Sequence, residues 1–287
     1  MSPKVARSKE DDPIAAFEEA MAGNEPLESN ADERDATGDD GADNGHPRHD
    51  VVEVINEALG PRQSLPGFAD PRMEQVNPIE LPAWFVDRCR RAYLSVPFDL
   101  HQNCRVLGVT STNYGEGKDS IAIGIATAMA VDSKRPTLLL ELDLAEPSLH
   151  RFLGIDRGRG LSDWLDGDSR LRIVKGAALV PNLFIVPAGS AQEEPARFFH
   201  ELVDRDVMLG LRQVFANVVV DLPPSLSISY ASLAYALADR LLIVVRSGST
   251  PTDDLEAAVR LIGQDRVSGI VLNGTETRVP RWLRALL

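Results

Sequence analysis

Cysteine is nearly missing from this chain. Cys89 and Cys104 are the only two among 287 residues. Their spacing fits no metal-binding pattern, so reduced thiols in a cytoplasmic protein are expected. Long apolar runs are missing too: none approaches the roughly 18 residues that a membrane span needs. The opening stretch, MSPKVARSKEDD, is polar and acidic and has no secretory h-region. Positive charge is short, with a formal net charge of -13, which argues against a general nucleic-acid binder. The imbalance is uneven, because residues 1–50 hold 14 acidic against 5 basic side chains. Tyrosine is scarce as well: Tyr93, Tyr114, Tyr230 and Tyr235 are the only four, and none lies in the last fifty residues. Apolar residues, at 44%, suffice for one sizeable α/β core.

Composition divides the chain. Residues 1–50, rich in Asp, Glu, Asn and Gly, read as a disordered acidic tail. Inside it, Asp12, Pro13 and the shared face of Ile14, Phe17 and Met21 outline a short helix, either a docking peptide or a transient helix in a solvated segment. Residues 51–82 read as a linker or an arm wrapping the core, with a short helical pattern at 51–59. Residues 83–276 alternate helix and strand. A helix is expected over 83–96, with Trp84 and Phe85 near its start and Arg88 and Arg91 on one side. Buried-type strands are expected at 106–110, 137–142, 183–187, 217–221, 241–245 and 269–273. Helices are expected at 161–165, 196–215, 227–238 and 252–262, the last closed by Gly263. Within 196–215, Phe198, Phe199, Leu202 and Leu209 are available for packing. Continuous apolar strands alternating with helices mean a mostly parallel sheet covered on both faces, with ligands beyond the carboxyl ends of the strands. The end, 277–287, is basic and apolar by turns. It is a membrane-surface or partner-docking segment, or else a piece of core or a frayed end.

The chain is organised around residues 106–130, VLGVTSTNYGEGKDSIAIGIATAMA. An apolar strand runs into a glycine-bearing turn, and the turn into a small-residue helix with Ile121, Ile125, Ala128 and Met129 at helical spacing. That is the context of a phosphate-binding loop. Gly115 and Gly117 let backbone amides turn toward an anion, the helix points its positive end at the same place, and Lys118 adds a point charge; Glu116 lies between the glycines. The usual pattern follows lysine with a hydroxyl that ligates Mg2+; here Asp119 stands there and Ser120 comes one residue late. Thr112 holds the place of the usual leading glycine. Three acids close strands at the same mouth: Glu141 and Asp143 after TLLL, and Asp221 before Leu222-Pro223-Pro224. A carboxylate after a buried strand beside a phosphate loop is the usual holder of Mg2+. Singly, each could be a helix cap or a surface acid; three together with the loop point to a nucleotide site.

Taken together these residues resemble the bacterial tyrosine kinases of capsule and exopolysaccharide synthesis, within the wider partitioning-ATPase group of P-loop proteins. That family opens with S/A-x-x-P-G-E-G-K-S/T, matched at 111–119 apart from Tyr114 and Asp119. Its second motif, D-x-D-x-R with a proline and leucine-histidine after it, corresponds to Glu141, Asp143 and Ala145, then Pro147 and Leu149-His150. Its D-x-P-P motif is Asp221 to Pro224, and its G-x-V-L-N segment ends at Asn273. The resemblance implies a three-layer α/β P-loop fold binding ATP and Mg2+. Lys118, Glu141 and Asp143 would be catalytic; residues 115–120 and Asn273 would hold nucleotide; Asp143, Asp221 and Asp119 would hold the metal. It also implies a membrane chain-length regulator as partner, self-association through the Arg88/Arg91 helix, and a cytoplasmic place at the inner face of the membrane.

The departures from the family pattern predict weakened transfer. At an effective dielectric of about 20, a second carboxylate roughly 4 Å from a phosphate charge costs about 4 kcal/mol. Glu141 is one methylene longer than the family's aspartate, Ala145 replaces its arginine, and the tyrosine-rich tail is absent. The other readings are a partitioning ATPase, whose additional early loop lysine has no counterpart at Ser111-Thr112-Asn113, and a scaffold that binds no nucleotide.

Overall fold

The structure is a computed structural model. It describes residues 74–75, 81–99, 102–155, 157–167, 171–175 and 180–275. The expected acidic tail, both short N-terminal helices, most of the 51–82 arm and the basic-apolar end lie outside these residues.

Eight strands form one sheet. In chain order they are β1 (Glu74–Gln75), β2 (Arg105–Ser111), β3 (Thr137–Glu141), β4 (Val174–Lys175), β5 (Leu183–Val186), β6 (Asn217–Asp221), β7 (Arg240–Arg246) and β8 (Val267–Asn273). Their spatial order is β1-β4-β5-β3-β6-β2-β7-β8. Every pairing is parallel except that of β4 with β5. The helices are α1 (Ala83–Leu94), α2 (Lys118–Ser133), α3 (Leu149–Leu153), α4 (Leu161–Leu165), α5 (Pro195–Asp204), α6 (Val207–Val214), α7 (Ala231–Tyr235) and α8 (Thr252–Ile262).

The central strands are apolar on both faces because both faces are covered. In β2, Val106 enters one core, with Leu138, Val218, Phe198 and Tyr235, while Leu107 and Val109 enter the other, with Leu139, Val219 and the helices α1 and α2. Gly108 leaves room for a close approach: a Cβ there would lie 2.5 Å from both Leu222 and Leu241. Helix α2 is buried around nearly its whole circumference from Lys118 to Ala130, which explains its small, apolar composition. Register then sets the mouth of the sheet. Glu141 is level with Asp221, and Asp221 with Val109, so the loop leaves β2 just beyond two acidic strand ends.

Two expected helices differ. The single helix over 196–215 is two, α5 and α6, parted at Arg205 and Asp206; Asp206 sits at φ 51°, a left-handed conformation that aspartate tolerates. Leu209, expected to pack, is 56% exposed. The helix over 227–238 shrinks to α7, because the chain before it runs alongside the loop: Ser225 N donates to Ser111 O at 2.8 Å and Leu226 N to Thr112 O at 3.0 Å. Strands β1 and β4, two residues each, and the short α3 have no counterpart among the expectations.

Candidate nucleotide site

The loop from Ser111 to Lys118 turns on two glycines, Gly115 at φ 78° and Gly117 at φ 85°, where any side chain would be strained. Glu116 closes the loop on itself. Its carboxylate accepts from Thr112 N at 2.7 Å, Asn113 N at 3.0 Å and the hydroxyls of Thr112 and Thr250. Outside the loop, Asn273 Nδ2 donates to Glu116 O at 3.0 Å, and Arg246 Nη1 to Gly115 O at 3.3 Å. The ends of β7 and β8 thus brace the loop from one side, and Asn113 Nδ2 reaches Asp254 of α8 at 3.2 Å.

Lys118 points inward. Its Nζ stands 2.5 Å from Asp119 Oδ1, 3.0 Å from Asp143 Oδ2 and 3.3 Å from Asp221 Oδ1, and all four side chains are buried. Burial alone would lower the lysine's pKa, but the three carboxylates outweigh it and hold the pKa well above its ordinary value. The same attraction, against a burial penalty, holds Asp119 below the usual carboxylate range. Asp221 goes the other way: burial, joined by repulsion from Asp119, Glu141 and Asp143, raises its pKa well above ordinary despite Lys118. Ser120 is buried in the first turn of α2.

Glu141 lies beside this cluster, and both its oxygens are engaged. Oε1 accepts from the backbone amides of Ser148 at 2.6 Å and Leu149 at 2.8 Å, at the start of α3; Oε2 accepts from Ala188 N at 2.8 Å. Burial raises its pKa against these three bonds. The carboxylate therefore ties β3 to α3 and to the turn after β5. Asp163 ties the same turn to α4, accepting from Ser190 Oγ at 2.7 Å and Gly160 N at 2.8 Å.

On the other side of the loop is a cavity of about 390 Å3, lined by Gly115, Gly117, Asn273, Arg246, Trp84 and Arg88 among others. The structure thus gathers Lys118, Asp119, Asp143 and Asp221 on one side of the loop and Asn273 on the other. Sequence reasoning did not single out Arg246, Thr250 and Ser148. Nothing in their spacing marks them, since each reaches the site by a fold-dependent turn. Tyr230, one of the four tyrosines the sequence offers, packs its ring on Phe199, and its hydroxyl is buried without a hydrogen-bond partner.

As to the metal, the donors are of the right chemistry, since hard cations take carboxylate and hydroxyl oxygens. Asp143 Oδ2, Asp221 Oδ2 and Ser148 Oγ are buried with no hydrogen-bond partner. Yet among the described residues no group of three acidic, histidine or cysteine side chains stands where it could hold a metal ion.

Fold and loop together define an α/β domain of the P-loop class. No family model matches the chain. The curated proteins it matches include tyrosine kinases and a succinoglycan biosynthesis transport protein. The tyrosine-protein kinase ptk of Acinetobacter johnsonii is 26% identical over 159 residues, 55% of this chain and 22% of that protein. The tyrosine-protein kinase CpsD of Streptococcus pneumoniae serotype 4 is 28% identical, with 62% of this chain and 79% of that protein covered. The succinoglycan biosynthesis transport protein ExoP of Rhizobium meliloti is 32% identical, with 60% and 22% covered. The chain thus spans less than a quarter of the length of two of these three. Among solved structures, the kinase domain of Escherichia coli tyrosine kinase ETK superposes with a TM-score of 0.60 at 21% identity, covering 68% of this chain and 77% of that one. The kinase domain of VpsO gives 0.59 at 23%, covering 67% and 97%. The chain is homologous to bacterial tyrosine kinases, and its fold is that of their kinase domains.

Proposed function

We propose that this chain is an ATP-binding protein of the bacterial tyrosine-kinase type. It would serve extracellular polysaccharide synthesis or export by regulating a membrane partner that sets chain length or polymerisation, with weakened phosphoryl transfer. The observation that carries the reading is one arrangement: a glycine loop at a helix N-terminus, with a lysine and strand-end carboxylates on one side and a 390 Å3 cavity on the other. In it, the loop amides and Lys118 would hold phosphates, and the cavity beside Asn273 would hold the nucleoside. Asp143 and Asp221 would hold Mg2+, which when bound neutralises phosphate oxygens. Weakened transfer is supported by Glu141, whose oxygens are both taken by backbone amides, and by the missing family arginine at Ala145. Polysaccharide synthesis is supported by the likeness to a succinoglycan biosynthesis transport protein. A place on the cytoplasmic side of a membrane is consistent with the described helices, none of which is long and apolar enough to cross one.

Calorimetric titration with Mg-ATP tests the reading. Binding is expected in wild type, and Lys118→Ala should weaken it at least tenfold, because the only cation inside the loop is lost. Equal affinity in the two would remove the phosphate-loop assignment.

A further inference from the structure

The metal-type donors and the absence of a metal-type arrangement have one explanation. Three carboxylate oxygens converge within 3.3 Å of Lys118 Nζ. Asp143 Oδ2 lies 3.0 Å from that nitrogen without a directed hydrogen bond, so the contact is one of charge. Asp221 Oδ2 is buried and unpartnered close by, and the Ser148 hydroxyl is near enough to Asp119 to favour its charged form. This is a shell of oxygens around a compact cation, and the cation is the chain's own ammonium.

We propose that Lys118 occupies the divalent cation's place in the resting protein, held there by Asp119, and that nucleotide can engage the lysine only when this pair opens. The proposal deepens the nucleotide-site reading and rests on it for its second half. Asp119 is the residue that makes the difference. It follows Lys118 in the first turn of α2 and makes the shortest of the three contacts. A hydroxyl in its place would leave the ammonium with two more distant acids and freer to turn toward a phosphate. With the carboxylate present, an arriving phosphate meets a negative charge and a lysine already neutralised. Asp119 is thus a positioning residue acting through Lys118. The site is expected to ignore divalent cations offered alone and to bind nucleotide weakly.

Two arms test this. In the first, Mn2+ alone is the probe, followed by its solution paramagnetic resonance signal and by thermal unfolding. Wild type is expected neither to take up Mn2+ at sub-millimolar concentration nor to change its Tm. Lys118→Met, which leaves three buried carboxylates without a counter-charge, is expected to have a lowered Tm and to regain it on adding Mn2+ as the ion enters the vacated centre. Wild-type uptake of Mn2+ at this site, lost in Asp221→Asn, would overturn the proposal; so would a Lys118→Met protein indifferent to Mn2+ or unable to fold with it. In the second arm, ADP is titrated in chelator. Asp119→Asn, nearly isosteric and uncharged, is expected to bind at least tenfold more tightly than wild type, and equal or weaker binding overturns the lock. If neither protein binds nucleotide at all, the proposed function fails. The Mn2+ arm then still decides whether the ammonium holds the cation's place.

Discussion

Asp221 is the most deeply buried acid at the mouth of the sheet, fully inaccessible at the end of β6. Its pKa is raised well above the ordinary value by burial, with like charges on Asp119, Glu141 and Asp143 adding to it. The sign of its effect on stability follows from linkage. A carboxyl that holds its proton more tightly when folded supports the fold fully below its unfolded pKa. That support is lost as pH rises through the folded value. Asp221→Asn keeps the shape and removes the titration. Its Tm is expected to gain on wild type as pH is raised from about 5 to about 9, while Lys118 keeps Asp119 and Asp143 as partners. A difference in Tm that stays flat over this range would show that Asp221 is ionised throughout. Glu141, level with it on β3, has a milder perturbation because three backbone amides offset burial. The acids themselves were legible in the sequence, since each ends an apolar run. Their partners were not: Ser148, Leu149 and Ala188 come to Glu141 from two later turns, and no local pattern announces that meeting.

The element that sets the geometry of the site is the pair α1 and α2. They pack closely because Gly124 has no side chain: a Cβ there would lie 2.5 Å from Cys89 Sγ and 2.7 Å from Phe85 Cε1. Arg90 of α1 fastens the outer edge by an ion pair to Asp132 at 2.8 Å, and Tyr93 donates to the same carboxylate at 2.5 Å. Gly124→Ala is expected to cost about 1–3 kcal/mol by overpacking, read as a lower Tm. Adding Cys89→Ala should return part of that loss, whereas strictly additive losses in the double variant would mean the helices do not press together there. Phe85 and Cys89 also line the cavity, so nucleotide affinity should shift with Gly124→Ala as well. How far such elements were legible depends on what made them. The central strands and the loop-to-helix unit were plain, because burial on both faces leaves uninterrupted Val, Leu and Ile. The break between α5 and α6 was not, since it rests on the backbone of Asp206 and not on proline or glycine. The truncation of α7 was not legible either. It comes from backbone donors of Ser225 and Leu226 being claimed by Ser111 and Thr112, residues far away in the chain.

For the whole molecule the consequence is a physical route from the proposed nucleotide site to its outer surface. The 390 Å3 cavity has Gly115 and Gly117 on one wall and Trp84 and Arg88 of α1 on another. Arg88 lies over the Trp84 ring at 5.6 Å, and Arg91 is exposed one turn further on. A ligand in the cavity therefore touches the helix expected to mediate self-association, and any difference in its fit to two arrangements of α1 shifts their populations without chemistry. Two exposed arginines three residues apart repel each other and need acidic groups from elsewhere, so contacts made through them should weaken as salt screens them. The expected outcome is that sedimentation of the full chain, alone or with the cytoplasmic part of a membrane partner, differs between nucleotide-free and Mg-ATP conditions. The difference should shrink at high ionic strength. Lys118→Ala should abolish it by removing the phosphate hold. Arg88→Glu with Arg91→Glu should abolish the assembly while sparing most of the nucleotide affinity, because Arg88 is only one wall of the cavity and Arg91 lies outside it. The split between these two variants is the decisive reading. Loss of the nucleotide-dependent difference in both, with loss of binding in the first alone, places the nucleotide upstream of the contact. Assembly indifferent to ATP in wild type would leave the arginine helix as a constitutive docking face and the chain as a scaffold.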